Sequence, residues 1–332
     1  MPTLVIHPGA DPAYASLVLE GIVAELGEGS LRFAKDGFPS SVRSGRVLAF
    51  FVAEQPEKRC FLAFHDRADL DEAGLEWATV FGVVNLRPED AGDAVLALGP
   101  TFGVRLRSQR LMVRHHAIRA WQTRRAHAWR QFVERGQAFV EHERRRTTID
   151  RYRPVESDPD YVFFTAWPWA KHPEVNPPRA QFIELCREAP GLTFEGGFAP
   201  RRRRDVAEAV PLSAKRRYPI GVYLDRLGRS AVAFNNPAVH NCLGWKLGEF
   251  LAMGKAIISL PLGRALPAPL EHGEHLHFVD GSRASMQDAL ERLRRDDGYR
   301  RSLERNARAW YDAHLAPSQL ARRILTPLDL ER

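Results

Sequence analysis

The sequence predicts an α/β fold made of two doubly wound domains, on three observations. Short runs that are apolar on both faces recur along the chain, as strands of a covered parallel sheet do. Segments with apolar residues at helical spacing alternate with those runs. A polar, proline-bearing stretch from Tyr152 to Asp160 splits the 332 residues into two halves of similar size and marks a boundary. The expected domains are residues 1–155 and 156–332.

In the first half, Thr3 to Ile6 reads as a buried strand ending at His7-Pro8-Gly9. A helix follows over Ala13 to Leu26, with Gly27 as its stop. Further strands are expected at Val47–Val52, Phe61–Phe64, Val80–Val84 and Val95–Leu98. Two of them run into corners, His65-Asp66 and Gly99–Gly103, of the kind that carry ligand loops in open α/β sheets. From Leu111 to about His142 a proline-free stretch reads as a long amphipathic helix, or two broken near Gly136. The second half begins with a strand at Tyr161–Thr165 that enters Trp167-Pro168-Trp169. A helix near Arg179–Ala189 follows, then a strand at Leu192–Phe194 leading into Glu195-Gly196-Gly197. Beyond it come a helix around Ile220–Leu227, a strand at Ala231–Phe234, a helix from about Gly244 to Met253 and a strand at Ala256–Ser259. A short strand at His277–Val279 and helices near Ser285–Arg294, Asp297–Ala313 and Pro317–Leu325 complete the chain.

At 44% hydrophobic and 27% charged residues the chain is globular, which excludes disorder and fibrous repeats. Three cysteines, far apart and odd in number, match neither a disulfide framework nor a zinc spacing and suit a reducing cytoplasm. The N-terminus lacks the basic region of a signal peptide, and no apolar run reaches membrane-spanning length. The expected location is cytoplasmic. The net charge of +7 comes from 48 cations against 41 acids, and only six of the cations are lysines. Arg105 to Arg153 holds 14 arginines against Glu134, Glu141, Glu143 and Asp150, so this segment carries +10 and the remainder −3. So local a charge, with Trp121 and Trp129 inside it, suits peripheral contact with the anionic inner face of a membrane. It equally suits a solvated face. No nucleic-acid-binding signature accompanies it, so no specific nucleic acid is expected.

The densest signal is the stretch from Phe234 to Ile258. A strand ends in a polar loop holding Asn235, Asn236, His240 and Asn241. A helix then starts near Gly244-Trp245, with Lys246 and Glu249 three residues apart on one face, and Gly254 ends it. A helix N-terminus beside a glycine and a lysine suits a diphosphate, and a carboxylate one turn on can accept bonds from ribose hydroxyls. Lys246 and Lys255, in a chain that prefers arginine, hint at a need for compact point charges.

This segment resembles the nucleotide-sugar-binding half of GT-B glycosyltransferases, many of which carry a helix of the form (K/R)-x-x-E-(x)-(L/M)-A-x-G-x-P-(V/I)-I. Lys246-Leu-Gly-Glu249-Phe-Leu-Ala252-Met-Gly254-Lys-Ala-Ile257-Ile258 fills nearly all of it. Tyr223 and Ser230 are similar to residues of the exostosin-like branch, and Gly273–Asp280 to the family's G-E-N-G-x-L-V loop. Asp69–Asn85 and Gly99–Gly103 are similar to the corresponding parts of bacterial relatives. The resemblance implies a GT-B architecture, two Rossmann-like domains with an interdomain cleft, and transfer of a sugar from a nucleotide-sugar, UDP- or GDP-linked, to a glycan or lipid-linked acceptor. It implies no metal and no cofactor beyond the donor. It assigns Glu249 to the ribose and Lys246 to the diphosphate, with Gly197, Tyr223, Asn235, His240 and Asn241 around the donor, and makes Arg201–Arg204 candidates for its phosphates. His65 and Asp66 are the base candidates for an acceptor hydroxyl. Two departures stand out. Asn241 occupies the place of a first glutamate in retaining members, and Ala256 replaces the usual proline. A sugar-nucleotide epimerase of the same fold, a binding-only relative and a basic nucleic-acid-binding protein are the rival readings.

Overall fold

The computed structural model describes residues 2–67, 69–92, 94–108, 111, 145–200, 206 and 209–330. The expected long arginine-rich helix and Arg201–Arg204 lie largely or wholly outside the described residues. Two compact units are present. The first comprises Met1–Ile149, Ala265–Pro267 and Ala313–Arg332, and the second Asp150–Arg264 and Ala268–Asp312. The last twenty residues, Ala313–Arg332, belong to the first unit.

The first unit is a six-stranded sheet. Its strands are β1 (Leu4–Ile6), β2 (Leu31–Phe33), β3 (Val47–Val52), β4 (Gln55–Ala63), β5 (Val80–Val83) and β6 (Val95–Ala97), in the order β2-β1-β3-β4-β5-β6. Helix α1 (Pro12–Leu26) forms as its sequence dictates. Asp11 accepts a bond from the Ala13 amide, Pro12 takes the first turn, and Gly27 at φ +80° stops it. One expectation needs correcting. β3 runs antiparallel to both β1 and β4 inside an otherwise parallel sheet. Only Ala53 and Glu54 separate β3 from β4, too few residues for a parallel crossover, so the pair folds as a hairpin. β3 is nonetheless buried almost throughout, which is why its composition reads as parallel. β2 has only three residues and no sequence signal beyond Leu31 and Phe33.

The short helix α2 (Glu72–Trp77) precedes β5, its Gly74 lying against the Phe61 ring. The second unit holds β7 (Tyr161–Ala166), α3 (Asn176–Glu188), β8 (Thr193–Phe198), α4 (Ile220–Arg229), β9 (Ala233–Asn235), α5 (Trp245–Ala252), β10 (Ile257–Ser259), β11 (His277–Phe278), α6 (Arg283–Arg295) and α7 (Asp297–His314). β8 pairs with β7, and β9, β10 and β11 pair in turn, all parallel. The two sets join at β7 and β9, where the Ala231 amide donates to the Tyr161 carbonyl at 2.8 Å and the Ser230 hydroxyl accepts from the Phe163 amide at 2.9 Å. On the far side, Phe198 exchanges backbone bonds with Leu212 and Ala214 at 2.9 and 2.8 Å. The spatial order is residues 212–214, β8, β7, β9, β10, β11. The order reverses between β7 and β9, and right-handed crossovers then send α3 and α5 to opposite faces. Phe164, Phe182 and Phe234 pack between these layers, with Phe182 stacked on Phe234 at 4.5 Å.

Tyr152–Asp160 is no free linker. The Arg300 guanidinium, 1% exposed, donates to Ser157 Oγ at 3.2 Å and to the Leu293 carbonyl at 3.1 Å. Ser157 in turn donates to Glu304 at 2.6 Å. These bonds fasten the stretch to α7.

Among the described residues no helix is long and apolar enough to cross a membrane. The final helix, α8 (Pro317–Leu325), lies on α1 so closely that a Cβ at Gly21 would overlap the Pro317 carbonyl. Gly21→Ala should therefore separate the two helices, costing about 1–3 kcal/mol. Thermal denaturation checks this: the variant's melting temperature should fall by several degrees, and an unchanged value would refute the close packing.

Candidate functional site

The reversal between β7 and β9 is where ligands bind in open α/β sheets, since the loops from two adjacent strands there diverge. A cavity of about 310 Å³ opens at that point. Its wall comprises Phe164, Ala166, Trp167 and Trp169 from the end of β7, Arg179 from α3, Phe234 to Asn236 and Ala238 from the end of β9, and Gly244 to Lys246 at the start of α5.

Helix α5 begins at Gly244, whose lack of a side chain leaves the first-turn amides without a side-chain cap. It ends with the Gly254 amide on Leu251 and the Lys255 amide on Phe250, both at 3.0 Å, with Gly254 at φ +57°. The N-terminal positive end of its dipole faces the cavity.

Two cations are held there. The Lys246 ammonium donates to the Thr165 carbonyl and sits 5.0 Å over the Phe164 ring. Burial, followed by repulsion from Arg179 and against the pull of Glu249, brings it down to about 7. Arg179 donates through Nε to Asn236 Oδ1 at 2.9 Å and through Nη1 to the Trp167 carbonyl at 3.0 Å. Burial lowers it to about 10, so it stays charged at neutral pH. A partly desolvated pair of cations beside a helix N-terminus favours an anion.

The structure brings some of the sequence-assigned residues together and disperses others. Lys246 and Asn235 line the cavity; Asn235 is fixed by its bond to Ser259 Oγ at 2.9 Å. Glu249 and Tyr223 lie outside the lining. The Glu249 carboxylate is 6% exposed and accepts from the Tyr223 hydroxyl at 2.9 Å. His240 and Asn241 both adopt left-handed backbone, at φ 56° and 58°, in the loop leading to α5. That conformation costs about 1–2 kcal/mol per non-glycine residue. Arg264 steadies it by donating to the His240 carbonyl, and the Asn241 amide packs against Gly263, where a Cβ would collide with it. The His240 ring meets that of His172 at 5.2 Å.

Gly197 has a different reason to be glycine. Gly196 and Gly197 fall inside β8, at φ +124° and +119°, and Cβ atoms there would strike the Phe164 and Leu212 carbonyls. Close strand packing, not a ligand loop, demands both. Lys255 is likewise structural: it is fully buried, donates to the Gly228 carbonyl at 2.8 Å, and is lowered to about 8 mainly by burial.

In the first unit, His65 and Asp66 follow β4 as expected. Asp66 forms an exposed ion pair with Arg46 at 2.6 Å. His65 is partly buried and held below the ordinary histidine value, first by burial and then by Arg67 and Arg46, so it is neutral at pH 7. Asn85 donates to its carbonyl at 2.7 Å. Sequence reasoning missed Arg179, Trp167 and Trp169 as cavity residues. Their signal was position alone: the loop and helix that follow the first strand of a doubly wound unit.

Removing the Glu249 charge withdraws the carboxylate attraction that favours the Lys246 ammonium. In Glu249→Gln the lysine should titrate below 7, measured by carbon-detected NMR of the Lys246 side chain. An unmoved midpoint would show the two groups to be uncoupled.

No family model matches the sequence, and no curated protein sequence matches it. Among solved structures the chain is similar to TarM, at 9% identity and a TM-score of 0.40 over 53% of this chain and 36% of that one. It is similar to a glycosyltransferase from Rickettsia africae ESF-5, at 8% identity and 0.47 over 81% and 69%. It is also similar to Anabaena HepE in complex with UDP and glucose, at 15% identity and 0.40 over 58% and 60%. The chain thus spans little more than a third of TarM's length.

Proposed function

We propose that the protein is a GT-B glycosyltransferase that moves a sugar from a UDP- or GDP-linked donor to a glycan or lipid-linked saccharide. One observation carries the reading: Arg179, Lys246 and the uncapped start of α5 converge on a single cavity at the strand-order reversal of the second unit. The donor diphosphate lies there. Transfer breaks the bond between the anomeric carbon and the diphosphate oxygen and forms one to an acceptor hydroxyl oxygen. The bonding pair leaves with the diphosphate, and the hydroxyl proton goes to a base. The two cations and the helix dipole stabilise the charge that grows on the departing diphosphate.

Glu249 serves the ribose in this reading, a ribose hydroxyl taking the place that the Tyr223 hydroxyl holds. Asn235, His240 and Asn241 shape the loop around the donor. Of the two base candidates His65 is preferred, because it is neutral and Asp66 is engaged by Arg46. The acceptor, with an anionic lipid carrier, meets the arginine-rich Arg105–Arg153 segment.

Thermal shift with UDP, GDP, UDP-glucose and GDP-mannose tests the reading. A ligand at about 100 times its Kd should stabilise the wild type by about 2.7 kcal/mol. Lys246→Met and Arg179→Met should each weaken binding tenfold or more. No response from the wild type to any of the four, or full binding by Lys246→Met, would sink the assignment.

The pH dependence has a definite sign. A bound diphosphate favours the ammonium form of Lys246, so above the free value of about 7 binding must take up a proton. Affinity for the sugar nucleotide should fall by up to about tenfold per pH unit from 7 to 9. Calorimetric titration across that range should show the slope, and Lys246→Met should abolish it. For the base, His65→Gln should lower kcat by about 100-fold or more while leaving donor binding intact. An unchanged kcat would remove His65 from the mechanism.

A further inference from the structure

Two indoles stand at the cavity with large exposed areas, Trp167 at 47% and Trp169 at 40%. Their backbone is pinned. The Trp169 amide donates to Asn176 Oδ1 at 2.9 Å, and Asn176 Nδ2 donates back to the Trp169 carbonyl at 2.8 Å. Arg179 holds the Trp167 carbonyl at 3.0 Å, the Arg217 guanidinium lies 4.8 Å over the Trp167 ring, and Pro168 stiffens the turn between them. Fixed, water-exposed aromatic surface continuous with a cationic cavity marks a ligand-binding wall.

Resting on the donor reading above, we infer that Trp167 and Trp169 form the subsite for the glycosyl ring of the sugar nucleotide whose diphosphate meets Arg179 and Lys246. The polar groups of this wall are the Lys246 ammonium, the Arg179 guanidinium and the side-chain amides of Asn235 and Asn236. Sugar hydroxyl oxygens accept from donors, and the C–H face of the ring lies against an aromatic plane. A nucleobase is the other flat ligand an indole stacks on, and binding of the bare nucleotide separates the two.

The experiment is calorimetric titration of the wild type, Trp167→Ala and Trp169→Ala with UDP, GDP, UDP-glucose, UDP-galactose, UDP-N-acetylglucosamine and GDP-mannose. Circular dichroism establishes that each variant is folded; both indoles are half-exposed, so neither change empties a core. Expected is a loss of about tenfold in affinity for the sugar nucleotide that the wild type binds, with binding of the bare nucleotide unchanged. Trp169→Phe should restore most of the loss. Equal losses for nucleotide and sugar nucleotide would place the base on the indoles and overturn the inference, as would no loss at all. Both of those results leave the donor reading standing. A wild type that binds none of the six overturns the donor reading and the subsite with it.

Discussion

Side by side in the second unit, β7 and β9 end at the same edge, yet the chain leaves β7 toward β8 and leaves β9 toward β10. That divergence of two parallel strands creates the space the candidate site occupies, and everything else in the site follows from it. Loops from adjacent strands cannot fill the gap between them, so a cavity forms. The contact is tight because Ser230 supplies a hydroxyl where the backbone ladder between β7 and β9 is incomplete, accepting from Phe163 and donating to the Val232 carbonyl at 2.6 Å. Lys246 then reaches across from α5 to the β7 carbonyl of Thr165, which ties the helix start to the strand end.

Holding two cations in one partly desolvated space is unfavourable, and the structure manages it with aromatic faces, backbone carbonyls and one carboxylate. Lys246 rests on Phe164, Arg179 is bound by Asn236 and Trp167, and Glu249 lies one turn along α5. The residual repulsion and desolvation lower Lys246 to near neutrality, so the charge of the site depends on what occupies it. The same unit buries Lys255 and Arg300, but Lys255 donates to the Gly228 carbonyl of α4, while Arg300 bonds Asp297 of α7 and fastens the 152–160 segment through Ser157. Two lysines nine residues apart thus have different tasks, and only their surroundings distinguish them.

Element after element was legible in the order of residues. The helix at Pro12–Leu26, the strand at Val47–Val52, the strand that ends at Asn235 and the three final helices appear close to where periodicity and stop residues put them. Asp11, Gly27 and Gly254 act at helix ends as their types dictate. Less legible were features that depend on pairing. The direction of β3 is set by the two-residue turn at Ala53-Glu54, which apolar composition cannot express. Gly196 and Gly197 look like a loop in sequence and lie in a strand, because their freedom from Cβ is needed by neighbouring backbones and not by the local turn.

What the sequence determined by itself was the α/β class and the Lys246–Glu249 helix, because each follows from local spacing. What only the tertiary structure decided was membership of the site. Arg179, Trp167 and Trp169 lie 67 to 79 positions from Lys246 and join it because the strand order reverses between β7 and β9. Glu249, a near neighbour in sequence, lies outside the cavity wall because its helix turns it toward Tyr223. Local spacing fixes helical faces, but which face meets which loop is settled by strand order, a property no single segment carries.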